Sequence, residues 1–249
     1  MYIIRSILTY VATAAYVLMV GPIGLIFAIP LKSKRTLYAL GHGGVGLALS
    51  LAGIRYRVFG RDEIPKNRAV VFCANHQSNV DPPVLFRVLH PQLHVLYKAE
   101  LRKIPILGRV LEVGGFVAVQ RDNRDAALAS IEEAAQSVRR GNSFLIFPEG
   151  TRSRTAELLP FKKGGLVMAI RAQAPVIPVA ITGGRASMRK GSAFVRPVLV
   201  TVRIGAPIET AGMSIEERDT LIAQVRSSIE QLLAQDTAPE RPLVADARS

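Results

Sequence analysis

Ala69–Leu85 reads AVVFCANHQSNVDPPVL and changes character twice. Its apolar opening, with paired valines, predicts a buried strand. That run breaks at Asn75-His76, and Asp81-Pro82-Pro83 opens a new segment, with Asp81 expected as N-cap and Pro82 as the first helical residue. Between them lies H-x-x-x-x-D, His76 to Asp81. On a straight strand these side chains point to opposite faces, and on an ideal helix they diverge by roughly 140°. They can meet only through a turn, which a strand–loop–helix transition supplies.

The alternation continues on both sides. Arg55–Phe59 reads as a strand, Pro82–Leu89 as a helix and Leu93–Tyr97 as a strand. A short helical piece broken by Pro105 and Gly108 follows, then a strand over Gly115–Val119. Asn123–Arg140 carries Leu128, Ile131, Ala135 and Val138 on one helical face, with Gly141 at its end. Strands at Ser143–Phe147, Val176–Ile181 and Val198–Ile204 alternate with a helix over Gly164–Gln173. Ser214-Ile215-Glu216-Glu217 forms a capping box before a last amphipathic helix reaching about Gln235. Residues 54–235 therefore predict a single α/β domain, a mixed central sheet flanked by helices. The polar, proline-containing residues 236–249 predict a disordered tail.

Residues 1–53 differ. No charge lies between Arg5 and Lys32, long enough to cross a hydrocarbon core, but Gly21-Pro22 interrupts the run. Either a kinked span or a re-entrant helical hairpin satisfies this pattern. The length of the run and the lack of a clear small-x-small site disfavour a cleaved signal peptide. Leu37–Ile54 is also uncharged but glycine-rich, and predicts a helix lying in the membrane interface, with His42 as a wet interfacial residue. Together these segments predict an N-terminal apolar helical membrane anchor.

The totals narrow the partners. The 249 residues are 49% hydrophobic, with a net charge of +13; mean hydropathy is +0.25 and the pI about 10.5. Such a balance calls for an acidic partner: nucleic acid, an anionic membrane surface or a phosphorylated substrate. Aromatics at 6%, no tryptophan and no zinc-finger, RRM or KH signature argue against nucleic acid. The single cysteine, Cys73, excludes an internal disulfide, and its apolar setting predicts a buried, inert thiol.

His76 and Asp81 admit two readings. An imidazole is suited to accept a proton at neutral pH, and a carboxylate on its far nitrogen fixes the tautomer and stabilises the imidazolium. Alternatively, Asp81 only caps a helix and His76 fills a turn. No G-x-S-x-G elbow accompanies them, and Ser78 lies inside the turn. A basic His76 would then activate a hydroxyl of the substrate, favouring direct transfer over a covalent enzyme intermediate. Phe147–Ser153, FPEGTRS, follows a strand, where open α/β folds bind ligands. Arg152 offers a planar fork for phosphate, Gly150 permits close backbone approach, and Glu149 could orient a hydroxyl or hold the arginine. Lys98 and Arg121 follow predicted strands and could converge on the same anion. Lys162 and Lys163 open a helix and could meet phosphate, lipid headgroups or water.

In order, these pieces resemble the 1-acyl-glycerol-3-phosphate acyltransferase family of membrane glycerolipid acyltransferases. Asn75-His76 with Asp81 matches its first motif, and Lys98 through Arg121 its second. Phe147–Ser153 matches its third and Val176-Ile177-Pro178-Val179 its fourth. The resemblance implies acyl transfer from acyl-CoA or acyl-carrier protein to the sn-2 hydroxyl of lysophosphatidic acid, without metal or bound cofactor. His76 would be the base and Asp81 its orienting partner. Lys98, Arg121 and Arg152 would bind the phosphate, with Glu149, Gly150 and Thr151 shaping the acceptor site. Cytoplasmic donors imply a catalytic domain on the cytoplasmic face of the cell (inner) membrane. Another lyso-lipid acceptor is an alternative, and a non-catalytic basic membrane-surface protein a remote one.

Overall fold

The structure, a computed structural model, describes residues 2–31, 33–120, 123–155 and 157–237. Arg121 and the expected tail beyond Thr237 lie outside the described residues. Two helices come first, α1 (Tyr2–Ala28) and α2 (Arg35–Ala52). Seven strands follow: β1 (Ile54–Phe59), β2 (Val71–Ala74), β3 (His94–Lys98), β4 (Val117–Val119), β5 (Phe144–Ile146), β6 (Val176–Thr182) and β7 (Val198–Ile204). Between and after them run α3 (Asp81–Val88), α4 (Leu107–Gly114), α5 (Arg124–Arg139), α6 (Lys163–Ala172), the one-turn α7 (Gly184–Ser187) and α8 (Arg218–Thr237).

The strands form one mixed sheet in the order β1-β7-β6-β2-β5-β3-β4. From β6 to β4 every pairing is parallel; β7 joins β6 antiparallel, and β1 runs parallel to β7. Val71, Phe72 and Cys73 of β2 are fully buried, as an apolar run at the centre of a parallel sheet requires. Helices cover both faces. Phe72, Ala74, Leu145 and Ile177 share a core with Val84, Leu85 and Val88 of α3 and Leu49 and Ala52 of α2. On the other face, Val71, Cys73 and Ile146 pack with residues of α5, α6 and α8. Burial raises the Cys73 thiol pKa far above its ordinary value, and the Glu149 carboxylate adds to the shift. This thiol is inert.

Several local expectations hold. Asn123 caps α5 by accepting from Ala126 N at 3.0 Å, and Gly141 follows that helix at φ 95°. The Ser214–Glu217 capping box is formed, opening a 3₁₀ turn that leads into α8. Others do not. Gly108 lies inside α4, where its missing Cβ leaves room for the Arg102 carbonyl. Asp81 is not the N-cap of α3, because Val80 holds that place and Asp81 is already helical.

The N-terminal helices pack differently from expectation. Helix α1 continues through Gly21-Pro22. It runs antiparallel to α2, with Tyr16 on Gly43 and Gly44 and Gly24 on Leu37, and the Tyr16 hydroxyl donates to Leu40 O at 2.9 Å. The α2 glycines thus let the α1 aromatic approach its backbone. The other side of α2 packs into the domain core through Leu49 and Ala52. His42 is stacked on Phe86 at 4.5 Å and bonded to Pro91 O at 3.0 Å. Helix α1 is long and apolar enough to cross a membrane. Yet both its ends touch the domain. Tyr2 meets Phe194 edge-on, Ser6 Oγ accepts from Val195 N at 2.8 Å, and Gly21 faces Ile106. Ile4, Leu8, Val11, Met19, Ile23 and Ile26 remain exposed at helical spacing, Ile4 and Met19 by 73%.

Candidate active site

The carboxyl ends of β2 and β5 carry the two polar segments singled out in the sequence, on neighbouring strands. Asn75 continues β2 as a side chain: its Nδ2 donates to Ile181 O at 2.9 Å and its Oδ1 accepts from Ile181 N at 2.7 Å. This side-chain pairing fixes the chain one residue before His76 and releases it into the turn.

That turn brings His76 and Asp81 together, with Nδ1 3.0 Å from Oδ2. The same Asp81 oxygen accepts from Gln77 N and Ser78 N, both at 2.7 Å. The carboxylate therefore faces backward into the turn instead of capping α3, and is bonded to His76. With Nδ1 donating to a carboxylate, Nε2 carries the lone pair. Asp81 is 1% exposed, while the His76 side chain is 15% exposed and stacked on Phe147 at 4.2 Å. A buried carboxylate thus holds an imidazole that reaches solvent.

The FPEGTRS loop locks the histidine's backbone from both sides. Glu149 Oε1 accepts from His76 N at 2.7 Å, Glu149 Oε2 from Leu159 N at 2.9 Å, and Ser153 N donates to His76 O at 2.8 Å. Glu149 is 2% exposed, so it neither holds an arginine nor faces an acceptor; it positions His76. Burial raises its pKa, against the pull of the two N–H groups. Gly150 sits at φ 66°, and the Lys162 side chain lies over it. Thr151 is exposed and Arg152 half-buried. Among the described residues, no carboxylate pairs with Arg152.

Lys98 is the last residue of β3, which β5 separates from β2 in the sheet. Its ammonium is 60% exposed and pairs with Glu100 at 3.0 Å. The structure brings His76, Asp81, Glu149, Gly150, Thr151 and Arg152 into one site. Lys98 stands at its margin, and Arg121 lies outside the described residues.

Sequence reasoning missed the third wall. Gly184 of α7 lies against Asp81, and Ser78 Oγ donates to Met188 O at 2.9 Å. Lys190 Nζ donates to Thr151 Oγ1 at 3.0 Å and to Arg152 O at 3.1 Å. Nothing between Gly183 and Arg196 has the periodicity of a strand or helix, and only the dense basic residues mark this segment. The hydroxyl nearest the base along the chain, Ser78, is fully buried and occupied. Among the described residues, the arrangement is an Asp-bonded imidazole with Ser78 withdrawn from it, near Arg152, which has no carboxylate partner.

The chain is similar to proteins already known. Residues 55–182 match the family model described as Acyltransferase. A protein named 1-acyl-sn-glycerol-3-phosphate acyltransferase from Limnanthes douglasii is 32% identical over 210 residues, 84% of this chain and 73% of that protein. One of the same name from Borreliella burgdorferi is 31% identical over 185 residues, 74% of each chain. The crystal structure of the 1-acyl-sn-glycerophosphate (LPA) acyltransferase PlsC from Thermotoga maritima superposes with a TM-score of 0.80 at 26% identity. It covers 97% of this chain and 100% of that one.

Proposed function

The chain belongs to the 1-acyl-sn-glycerol-3-phosphate acyltransferase family, and from that premise we propose that it acylates the sn-2 hydroxyl of 1-acyl-glycerol-3-phosphate, giving phosphatidic acid for phospholipid biosynthesis. The donor is acyl-CoA or acyl-carrier protein, a co-substrate; the reaction is read without metal or bound cofactor. One observation carries the mechanism: the His76–Asp81 pair at 3.0 Å, with Ser78 withdrawn to Met188 O. His76 Nε2 takes the proton of the sn-2 hydroxyl as its oxygen attacks the thioester carbonyl. The tetrahedral intermediate collapses with loss of thiolate, which recovers the proton from the imidazolium. Asp81 stabilises that imidazolium throughout, and general-base help of this kind contributes roughly 10²–10⁴-fold. Arg152 holds the acceptor phosphate through its planar fork.

The α1–α2 hairpin is read as the membrane contact. Its outward row from Ile4 to Ile26 enters the lipid while both ends of α1 stay on the domain, at the cytoplasmic face of the cell membrane where the donors are. Membranes containing His76→Ala and supplied with lysophosphatidic acid and labelled donor should form no phosphatidic acid above background. Undiminished product would sink the mechanism.

A further inference from the structure

Several cations of this protein have anionic neighbours. Lys98 pairs with Glu100, Lys163 with Asp219, Arg226 with Glu230, and Arg139 and Arg171 share Glu132. Among the described residues, none of Arg152, Lys162 and Lys190 has a carboxylate partner. All three converge on the loop Gly150–Arg152. Lys162 lies over Gly150 from the α6 side. Lys190 reaches Thr151 and Arg152 from the far side. The loop's own carboxylate, Glu149, is turned inward and bonded to two backbone N–H groups.

Three positive charges gathered on one glycine-containing loop repel one another unless an anion joins them. Two neutral oxygens occupy two of the three ammonium donors of Lys190, and the third is available. The segment that carries it is fixed to the catalytic turn through Ser78–Met188 and Gly184–Asp81, so its distance from His76 is set by the fold. On the acceptor, a phosphate dianion is joined to the reacting carbon through only one methylene and one oxygen. The phosphates of a CoA donor lie at the far end of its pantetheine arm.

Resting on the function proposed above, we infer that Lys190, with Lys162 opposite, completes the acceptor-phosphate site as a specificity-determining residue. Lys190 lies beyond residues 55–182, the stretch matched by the family model. Its ammonium places a point charge on the phosphate edge that the Arg152 fork leaves open.

The test compares Lys190→Gln and Lys190→Arg with the wild type, using lysophosphatidic acid with acyl-CoA and with acyl-carrier protein. Gln retains N–H donors for Thr151 and Arg152 but removes the charge; Arg retains the charge. The expected result for Lys190→Gln is a KM for lysophosphatidic acid raised by roughly tenfold, as for loss of a hydrogen bond to a charged group. The donor KM and the unfolding temperature should stay unchanged, and Lys190→Arg should recover most of the acceptor affinity. Glycerol 3-phosphate should compete with the acceptor in the wild type and about tenfold more weakly in Lys190→Gln. An unchanged acceptor KM, a rise confined to the donor, or equal behaviour of Gln and Arg overturns the inference while leaving the enzyme reading intact. Wild-type protein that makes no phosphatidic acid with either donor overturns both.

Discussion

Gly184 sits directly behind the Asp81 carboxylate: a Cβ built there would lie 2.5 Å from Oδ1 and 3.2 Å from Ser78 Cβ. The carboxylate that anchors His76 is thus held from the front by two backbone N–H groups and confined from behind by a residue without a side chain. Gly184→Ala must push the carboxylate off its alignment with His76 Nδ1. A misplacement on the order of 1 Å near the chemistry costs roughly 10²-fold, so kcat should fall by that order with KM for both substrates unchanged. Steady-state kinetics on a variant whose unfolding temperature matches the wild type checks this.

Asp81→Asn keeps the size of the side chain and removes its charge. The amide can offer one oxygen to the Gln77 and Ser78 N–H groups, or to His76, while its NH₂ favours the wrong imidazole tautomer. A drop in kcat of roughly 10⁴-fold is expected, the scale seen when the carboxylate of a catalytic histidine becomes an amide. A decrease of less than tenfold would show that the pair is structural.

His94 gives the domain an acid-sensitive point away from the catalytic turn. It is fully buried at the start of β3, among Tyr38, Phe116 and Phe144, and among the described residues neither ring nitrogen has a hydrogen-bond partner. Burial pushes its pKa from 6.5 down to about 4, and the Lys34 ammonium and His90 add to the shift. Backbone groups of Gln92 and Ser143 pull the other way without reaching good hydrogen-bond geometry. Between those pH values the unfolded imidazole binds a proton that the native one does not. Stability from this group is complete above about 6.5 and declines as pH falls toward 4, on the order of 3 kcal/mol in total. His94→Leu should remove that part of the acid slope, so the variant gains on the wild type as pH falls. Denaturant unfolding of both proteins at pH 5 and pH 7.5 measures the difference.

The first residues of α1 lie on the domain, with Tyr2 against Phe194 and the Arg196 guanidinium over the Tyr2 ring. A thiol introduced by Tyr2→Cys should react with an impermeant maleimide from the same side of the membrane as the catalytic domain. Cys73 is fully buried and contributes no background. Labelling from the opposite side would mean that α1 crosses the bilayer.

Much of the architecture is legible locally. The β2 run, the Asn123 cap, the Gly141 stop and the Ser214–Glu217 box each act within a few residues, so their readings hold almost to the residue. The errors lie where distant contacts override local rules. Gly108 reads as a breaker and is instead the close approach to the Arg102 carbonyl. Asp81 reads as an N-cap, but the turn's own N–H groups and His76 claim its oxygen. Glu149 reads as a surface group for arginine or substrate, yet it is buried beneath the histidine it positions.

The sequence by itself determined the α/β class, the apolar N-terminus and the candidacy of His76, Asp81 and the FPEGTRS loop. Those features rest on periodicity, capping chemistry and residue type, which neighbours along the chain express. Tertiary structure alone decided that H-x-x-x-x-D closes into a bonded pair, that Ser78 is withdrawn, and that Gly184 and Lys190 lie against Asp81 and the Thr151-Arg152 loop. These depend on β2, β5 and β6 lying side by side in the sheet, which brings together loops far apart in the chain. No local pattern encodes that register, because it is fixed by burial shared across strands.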